Sequence, residues 1–322
     1  MSQVIFHGTG AARPGDGVGR RHVEGGRIAS LAVGVVLLGG AAWVAAFRQQ
    51  SWEFALLSKL NAYAGRSALF DRTVHALTSR ELLQGVVLVA LLWFLWFSTD
   101  STVTRGRLLI GGVGAVLAGI VSRLAQIALP THLRPLHTAA LGFVPPIGVE
   151  PDALNRFNSF PSDHGAVFFA LALVVARIRP GLGIAAFVWA TIVDLGRVYD
   201  GFHYPSDIVG SVGLSILILT MLENTVTLRL ARRVVTAEAT WRPWFYMVAF
   251  VLSYLVATLF DDIRQIAAAS AAVLLHHGTI PGGLTRAAGG AFDDAICLVR
   301  FFHGGRRRRP AGGCGEWTAR MA

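Results

Sequence analysis

The chain has 322 residues, 53% of them hydrophobic and only 15% charged, with a mean hydropathy of +0.54. Soluble globular domains use about 25% charged residues, so these values exclude an ordinary soluble enzyme and place the chain in the membrane class. The formal net charge of +10 sits on arginines scattered through short loops and chain ends, a placement that suits orientation in a bilayer and contact with anionic lipid rather than nucleic-acid binding.

Residues 1–27 are rich in Gly and Arg and read as a flexible cytoplasmic tail. No short apolar stretch there leads to a small-residue cleavage site, so the first apolar run is expected to stay as an anchor. Crossings are expected at Ile28 to Phe47, Leu82 to Ser98, Leu108 to Ile127, His164 to Ala176, Leu182 to Leu195, Asp207 to Leu222 and Phe245 to Phe260. With flanking residues counted, each approaches the ~20 apolar residues needed for a ~30 Å hydrocarbon core. Between the first two crossings, Ser51 to Glu81 reads as amphipathic helix on the surface, with Trp52, Phe54, Leu57, Leu60 and Phe70 among its apolar residues. Ile266 to Leu275 is too weak for a crossing and reads as interfacial. Residues 262–322 read as weakly structured and basic. Cys297 and Cys314 lie there outside any CxxC or Cys/His cluster, so neither a zinc site nor a disulfide framework is expected. The expected fold class is all-α, a polytopic transmembrane bundle over residues 28–261.

Arginines orient the set. Arg20, Arg21 and Arg27 precede the first crossing, Arg105 and Arg107 follow the second, Arg177 and Arg179 follow the fourth, and Arg229, Arg232, Arg233 and Arg242 follow the sixth. These alternate segments are all cytoplasmic by the positive-inside rule. Residues 48–81, 128–163 and 196–206 then share the outer face.

Two of those outer segments hold polar residues that a connecting loop does not require. One contains Arg134-Pro135 and, further on, Asn155-Arg156-Phe157-Asn158-Ser159-Phe160-Pro161-Ser162-Asp163-His164; the other runs Gly196-Arg197 through Tyr199, Asp200 and His203 to Asp207. Pro161 and Ser162 mark a helix start, where free backbone N–H groups and the positive end of the helix dipole attract an anion. Ser206 after Pro205 is expected to cap the next helix in the same way. Arg134, Arg156 and Arg197 supply forked donors for phosphate oxygens. His203 and Asp207 are spaced to meet on one helical turn, where a carboxylate can hold one imidazole nitrogen protonated and free the other to attack. His164 offers a second imidazole to protonate a leaving alkoxide.

These residues closely resemble the motifs of the type 2 phosphatidic acid phosphatase superfamily. The third motif of that family appears here as Gly196-Arg197, five residues, His203, three residues, Asp207; the second appears as Pro161-Ser162-Asp163-His164, with aspartate where glycine is commonest. The first motif, Lys, six residues, Arg-Pro, keeps Arg134-Pro135, but Ile127 stands where the lysine is expected, and Arg123 is the nearest upstream base. The resemblance covers about residues 50–225. It implies a six-helix core, here with an additional C-terminal crossing, acting on a membrane lipid phosphate or pyrophosphate such as undecaprenyl pyrophosphate or phosphatidic acid. His203 would form a phosphohistidine, oriented by Asp207, and His164 would protonate the leaving oxygen and then activate water. Arg134, Arg197, Ser162 and the backbone N–H of Asp163 would bind the phosphate, with Arg123 and Arg156 as further candidates. The scheme needs no metal or other cofactor. A multi-pass inner-membrane protein with its site on the extracytoplasmic side follows. Two alternatives use the same residues or none of them: a phosphoryl-headgroup transferase with an alcohol acceptor, and a transporter with a decayed site.

Overall fold

The computed structural model describes residues 16–47, 52–129, 132–154 and 158–259. Arg156, Cys297, Cys314 and the region 262–322 lie outside the described residues. Among these the chain is helical, with no strand. The helices are α1 (Asp16–Phe47), α2 (Trp52–Asn61), α3 (Ala68–Ser79), α4 (Val87–Phe97), α5 (Thr102–Ala128), α6 (Asp163–Ile178), α7 (Pro180–Tyr199), α8 (Pro205–Leu222), α9 (Thr225–Glu238) and α10 (Arg242–Ala257). Four stretches are long and apolar enough to cross a membrane: Glu24–Ala46, Thr102–Ala128, Pro180–Tyr199 and Pro205–Leu222. A fifth is counted if α3 and the segment Leu82–Phe97, bent by 70° against each other, form one broken span. The molecule is thus an all-α, multi-pass membrane protein.

α6 lies at the centre. Ala166 through Ala172 are all at most 1% exposed, and the helix packs on α4, α5, α7 and α8. Between His164 and Arg177 α6 is apolar all round, and such a helix must be covered all round. α1 packs lengthwise on α8 through glycines: a Cβ on Gly213 would stand 2.5 Å from the backbone nitrogen of Leu38, and one on Gly34 would stand 2.7 Å from the Leu217 side chain. Backbones that approach this closely exclude any side chain, as at other small-residue helix contacts in membranes.

The structure corrects the sequence reading in several places. α1 begins at Asp16, so part of the expected tail is helical. The surface segment Ser51 to Glu81 is two helices, because the chain turns at Ala62–Ser67 with Gly65 at φ +76°. α3 then starts afresh with Ser67 accepting the Phe70 N–H at 3.3 Å. A π-helical turn, Leu82–Val86, precedes α4. α7 runs on to Tyr199, placing Arg197 in its last helical turn and not in a loop. α9 was not expected. Its Ala231 and Val235 are buried, while Arg229, Arg232 and Arg233 are exposed, the two faces of an amphipathic helix.

Candidate active site

Two helix starts and one connecting loop converge. At the start of α6, Ser162 is the cap: its hydroxyl oxygen accepts the Gly165 N–H at 3.0 Å, and its proton points to Asp194 Oδ1 of α7 at 3.3 Å. The cap that the sequence predicted at Ser162 is therefore present, but it commits a hydroxyl also expected on phosphate. Gly165 is required here, since a Cβ on it would stand 2.4 Å from Ser211 Oγ of α8. α5 fixes the same turn from the other side: Ser122 Oγ and Gln126 Nε2 both donate to the Pro161 carbonyl, at 3.0 and 2.7 Å.

At the start of α8 the cap is Tyr204, and Ser206 lies inside the helix, contrary to the expected Ser206 cap. The Asp207 carboxylate reaches back to the Tyr204 N–H through Oδ2 at 2.8 Å, closing the first turn over His203. The predicted His203 and Asp207 pair is realised, with Nδ1 of His203 3.3 Å from Asp207 Oδ2 and 3.0 Å from the Ser159 carbonyl. A carbonyl can only accept, so Nδ1 carries the proton and Nε2 keeps its lone pair. His203 is fully buried. Burial, with Arg134 nearby, pushes its pKa down to about 4, so the imidazole is neutral over the physiological range.

Arg134 holds this arrangement together. Its NH1 donates to the Phe202 carbonyl at 2.7 Å and lies 3.4 Å from His203 Nε2, while NH2 donates to the Asn158 carbonyl at 3.1 Å. Burial lowers its pKa to about 10, which still leaves it cationic. Arg197 is 4% exposed, donates to the Thr78 carbonyl at 3.4 Å and lies over the Phe202 ring at 5.4 Å. The Nε groups of both arginines are buried without a protein acceptor. Two buried cations with spare N–H groups beside a neutral imidazole are a candidate anion site.

His164 opens α6. Its Nδ1 and its backbone N–H both lie 3.0 Å from Asp163 Oδ1, so the carboxylate that replaces the usual glycine grips this imidazole. Asp163 Oδ2 is 4.0 Å from Arg123 NH1. The base that stands one helical turn before the unusual Ile127 therefore reaches the site, whereas Ile127 is 71% exposed. Arg197 and His203 are both electrostatic neighbours of His164, which joins the motifs of α6, α7 and the α8 start. Among the described residues, no group of three or more His, Cys, Asp or Glu side chains is arranged to hold a metal ion.

Supporting residues complete the arrangement, and of these sequence reasoning missed Glu53 and His132. Glu53 of α2 is fully buried and accepts the Ser206 N–H at 2.8 Å, and burial raises its carboxyl above the usual range. His132 lies 3.6 Å from Asp207 Oδ1. The Asn158 side chain accepts the His132 N–H at 2.8 Å and donates to the Gln126 carbonyl. Asp200, buried between Thr78 and His75, is raised by burial. Asn158 and Asp200 stand among the polar loop residues named from the sequence, whereas nothing in the sequence singles out Glu53 or His132.

Comparison with known proteins agrees with this geometry. Residues 128–231 match the PAP2 superfamily. The Lipid A 1-phosphatase of Rhizobium etli is 30% identical over 50% of this chain and 79% of its own length. The Decaprenylphosphoryl-5-phosphoribose phosphatase of Mycobacterium tuberculosis is 30% identical over 50% of this chain and 86% of its own. The Bacitracin transport permease protein BcrC of Bacillus licheniformis is 35% identical, but that match spans only 19% of this chain and 30% of that protein. With second and third motifs gathered around one buried imidazole, and two relatives at 30% identity matched over 79% and 86% of their length, the chain belongs to the PAP2 superfamily of membrane phosphatases.

Proposed function

We propose that this protein hydrolyses a membrane lipid phosphate or pyrophosphate through a phosphohistidine on His203 Nε2. The observation that carries the reading is the orientation of that imidazole: Nδ1 is tied to Ser159 and Asp207, and Nε2 faces Arg134. In the first step the Nε2 lone pair attacks phosphorus and the bond from phosphorus to the lipid oxygen breaks. His164, as an imidazolium held through Nδ1 by Asp163, gives that oxygen the proton on its Nε2 and is left neutral. In the second step water attacks the phosphohistidine, its proton passes to His164, and the phosphorus–nitrogen bond breaks to release inorganic phosphate. Arg134, Arg197 and the amides at the α6 start stabilise the charge on the equatorial oxygens, with Arg123 aligning Asp163 and His164. Because arginines supply that charge, no step calls for a metal.

The lipid is one whose phosphate or diphosphate lies at the membrane surface, such as undecaprenyl pyrophosphate or phosphatidic acid. Two relatives are a lipid A 1-phosphatase and a decaprenylphosphoryl-5-phosphoribose phosphatase, which favours a large polyisoprenoid or glycolipid carrier. We further propose that α1 and α4 to α8 form six crossings, that α10 adds one, and that the site opens on the extracytoplasmic side of the inner membrane. The loop arginines support this orientation, and every site residue comes from a segment assigned to that side or from a helix end adjoining it.

The test is phosphate release by the detergent-purified protein from undecaprenyl pyrophosphate, phosphatidic acid and phosphatidylglycerol phosphate, with no divalent metal added and His203→Ala as the matched control. Release from at least one lipid, reduced at least a thousandfold in the control, is expected. Equal release by folded His203→Ala protein would refute the phosphohistidine route.

A further inference from the structure

Behind the His203 and Asp207 pair lies a second imidazole that the mechanism above does not use. Asp207 is fully buried. Its Oδ2 serves the Tyr204 N–H and His203 Nδ1, and its Oδ1 has no hydrogen-bond partner. The atom facing that oxygen is His132 Nε2, at 3.6 Å, itself buried and without a partner. A buried acceptor and a buried donor left unmatched each cost about 1–3 kcal/mol, and a closure of a few tenths of an ångström would satisfy both.

His132 is held for this contact from three sides. Its N–H donates to Asn158 Oδ1 at 2.8 Å, its carbonyl accepts the Ser159 N–H at 3.0 Å, and its ring lies 5.1 Å from that of Tyr204. The Tyr204 ring is in turn fixed by Phe54 and by the hydroxyl pair with Thr138. Glu53, an electrostatic neighbour of both His132 and Asp207, accepts the Ser206 N–H beside them at 2.8 Å. His132, Asp207 and His203 thus place one carboxylate between two imidazoles. Ser159, whose N–H is bound by the His132 carbonyl, supplies the carbonyl that accepts from His203 Nδ1, so His132 supports both acceptors of the nucleophile.

We infer that His132 is a positioning residue for the nucleophile: it donates its Nε2–H to Asp207 Oδ1 and so fixes the carboxylate that keeps His203 Nδ1 protonated and Nε2 free. The inference rests on the phosphatase reading. Its effect falls on the chemical step, when charge develops on His203, and not on lipid binding, because His132 points away from the phosphate-facing Nε2.

The experiment compares His132→Phe, which keeps a ring against Tyr204 but has no donor, with His132→Gln, which keeps an N–H donor at similar reach. Phosphate release from undecaprenyl pyrophosphate and phosphatidic acid is measured for both, beside wild type and His203→Ala. The expected result is a ten- to hundredfold fall in kcat for His132→Phe with KM changed less than twofold, and recovery to within about fivefold of wild type in His132→Gln. A kcat within twofold of wild type in His132→Phe overturns the inference, as does an equal loss in both variants with unchanged thermal transitions. If His132→Phe does not fold, His132→Gln decides alone: kcat within fivefold supports the donor role, and a hundredfold loss in folded protein overturns it. Should His203→Ala release phosphate as wild type does, the phosphatase reading itself fails, a result distinct from any produced by the His132 variants.

Discussion

His203 shows how burial tunes a single side chain. An imidazole normally titrates near pH 6.5, but here burial of the ring holds its pKa at about 4. The neutral, attacking form therefore persists well below pH 6.5, and the acid limb of kcat/KM, which reports free-enzyme groups, is expected with a midpoint near pH 4 to 5; a midpoint at pH 6.5 or above would contradict a buried neutral nucleophile. The same shift affects stability with a definite sign. Between about pH 6.5 and 4 the unfolded chain binds a proton that the folded chain refuses, so this group makes the fold less stable as pH falls through that window. Asp163 presents the second residue-scale test. Its carboxylate holds His164 and in the proposed mechanism neither attacks nor protonates, so Asp163→Gly should lower turnover by less than a hundredfold, under about 2.7 kcal/mol of barrier, and by less than loss of either histidine. The histidines, Asp207, Arg134 and Arg197 were legible in the sequence because phosphoryl transfer calls for those residue types at those spacings. Glu53 and His132 were not legible, since each acquires its meaning from a partner more than seventy residues away.

At the scale of the helices, apolar length located α1, α5, α7 and α8 well, and the Pro-Ser start of α6 fell where the cap requires it. What escaped was where helices end. Nothing in Gly196-Arg197-Val198-Tyr199 stops a helix, and α7 continues until Asp200, Gly201 and the αL turn at φ +77°. α9 escaped because its arginines had been counted only as loop charge. The contact of α1 with α8 is where a single methyl group should matter most. Gly213→Ala would drive a Cβ to 2.5 Å from the Leu38 backbone nitrogen, which cannot move alone. A loss of about 1–3 kcal/mol is expected from such overpacking, read as a lower thermal transition in detergent. Gly112→Ala on α5 is the control: nothing lies within 4 Å of its added Cβ, and replacing a mid-helix glycine should be neutral or stabilising by up to about 1 kcal/mol.

Across the whole molecule, the candidate site is assembled from parts distant in sequence: α5 supplies Arg123, the following loop Arg134, the α6 start Asp163 and His164, the α7 end Arg197, and the α8 start His203 and Asp207. The membrane class follows from composition, but the sequence could not say how these parts interlock. Arg134 does much of that work, bridging the carbonyls of Phe202 and Asn158 with hydrogen bonds made wholly within the protein. An anion that enters late adds to this frame and does not create it. Inorganic phosphate or vanadate should therefore raise the thermal transition of the wild-type protein, by RT ln(1 + [L]/Kd) in free energy, and should raise that of Arg134→Ala far less; equal shifts would place anion binding elsewhere. A cradle rigid before the lipid arrives is equally rigid after the lipid has left. It grips the free product with the same arginines that held the substrate, so escape of inorganic phosphate, more than scission of the ester, is expected to govern the turnover rate, and the product to act as a competitive inhibitor.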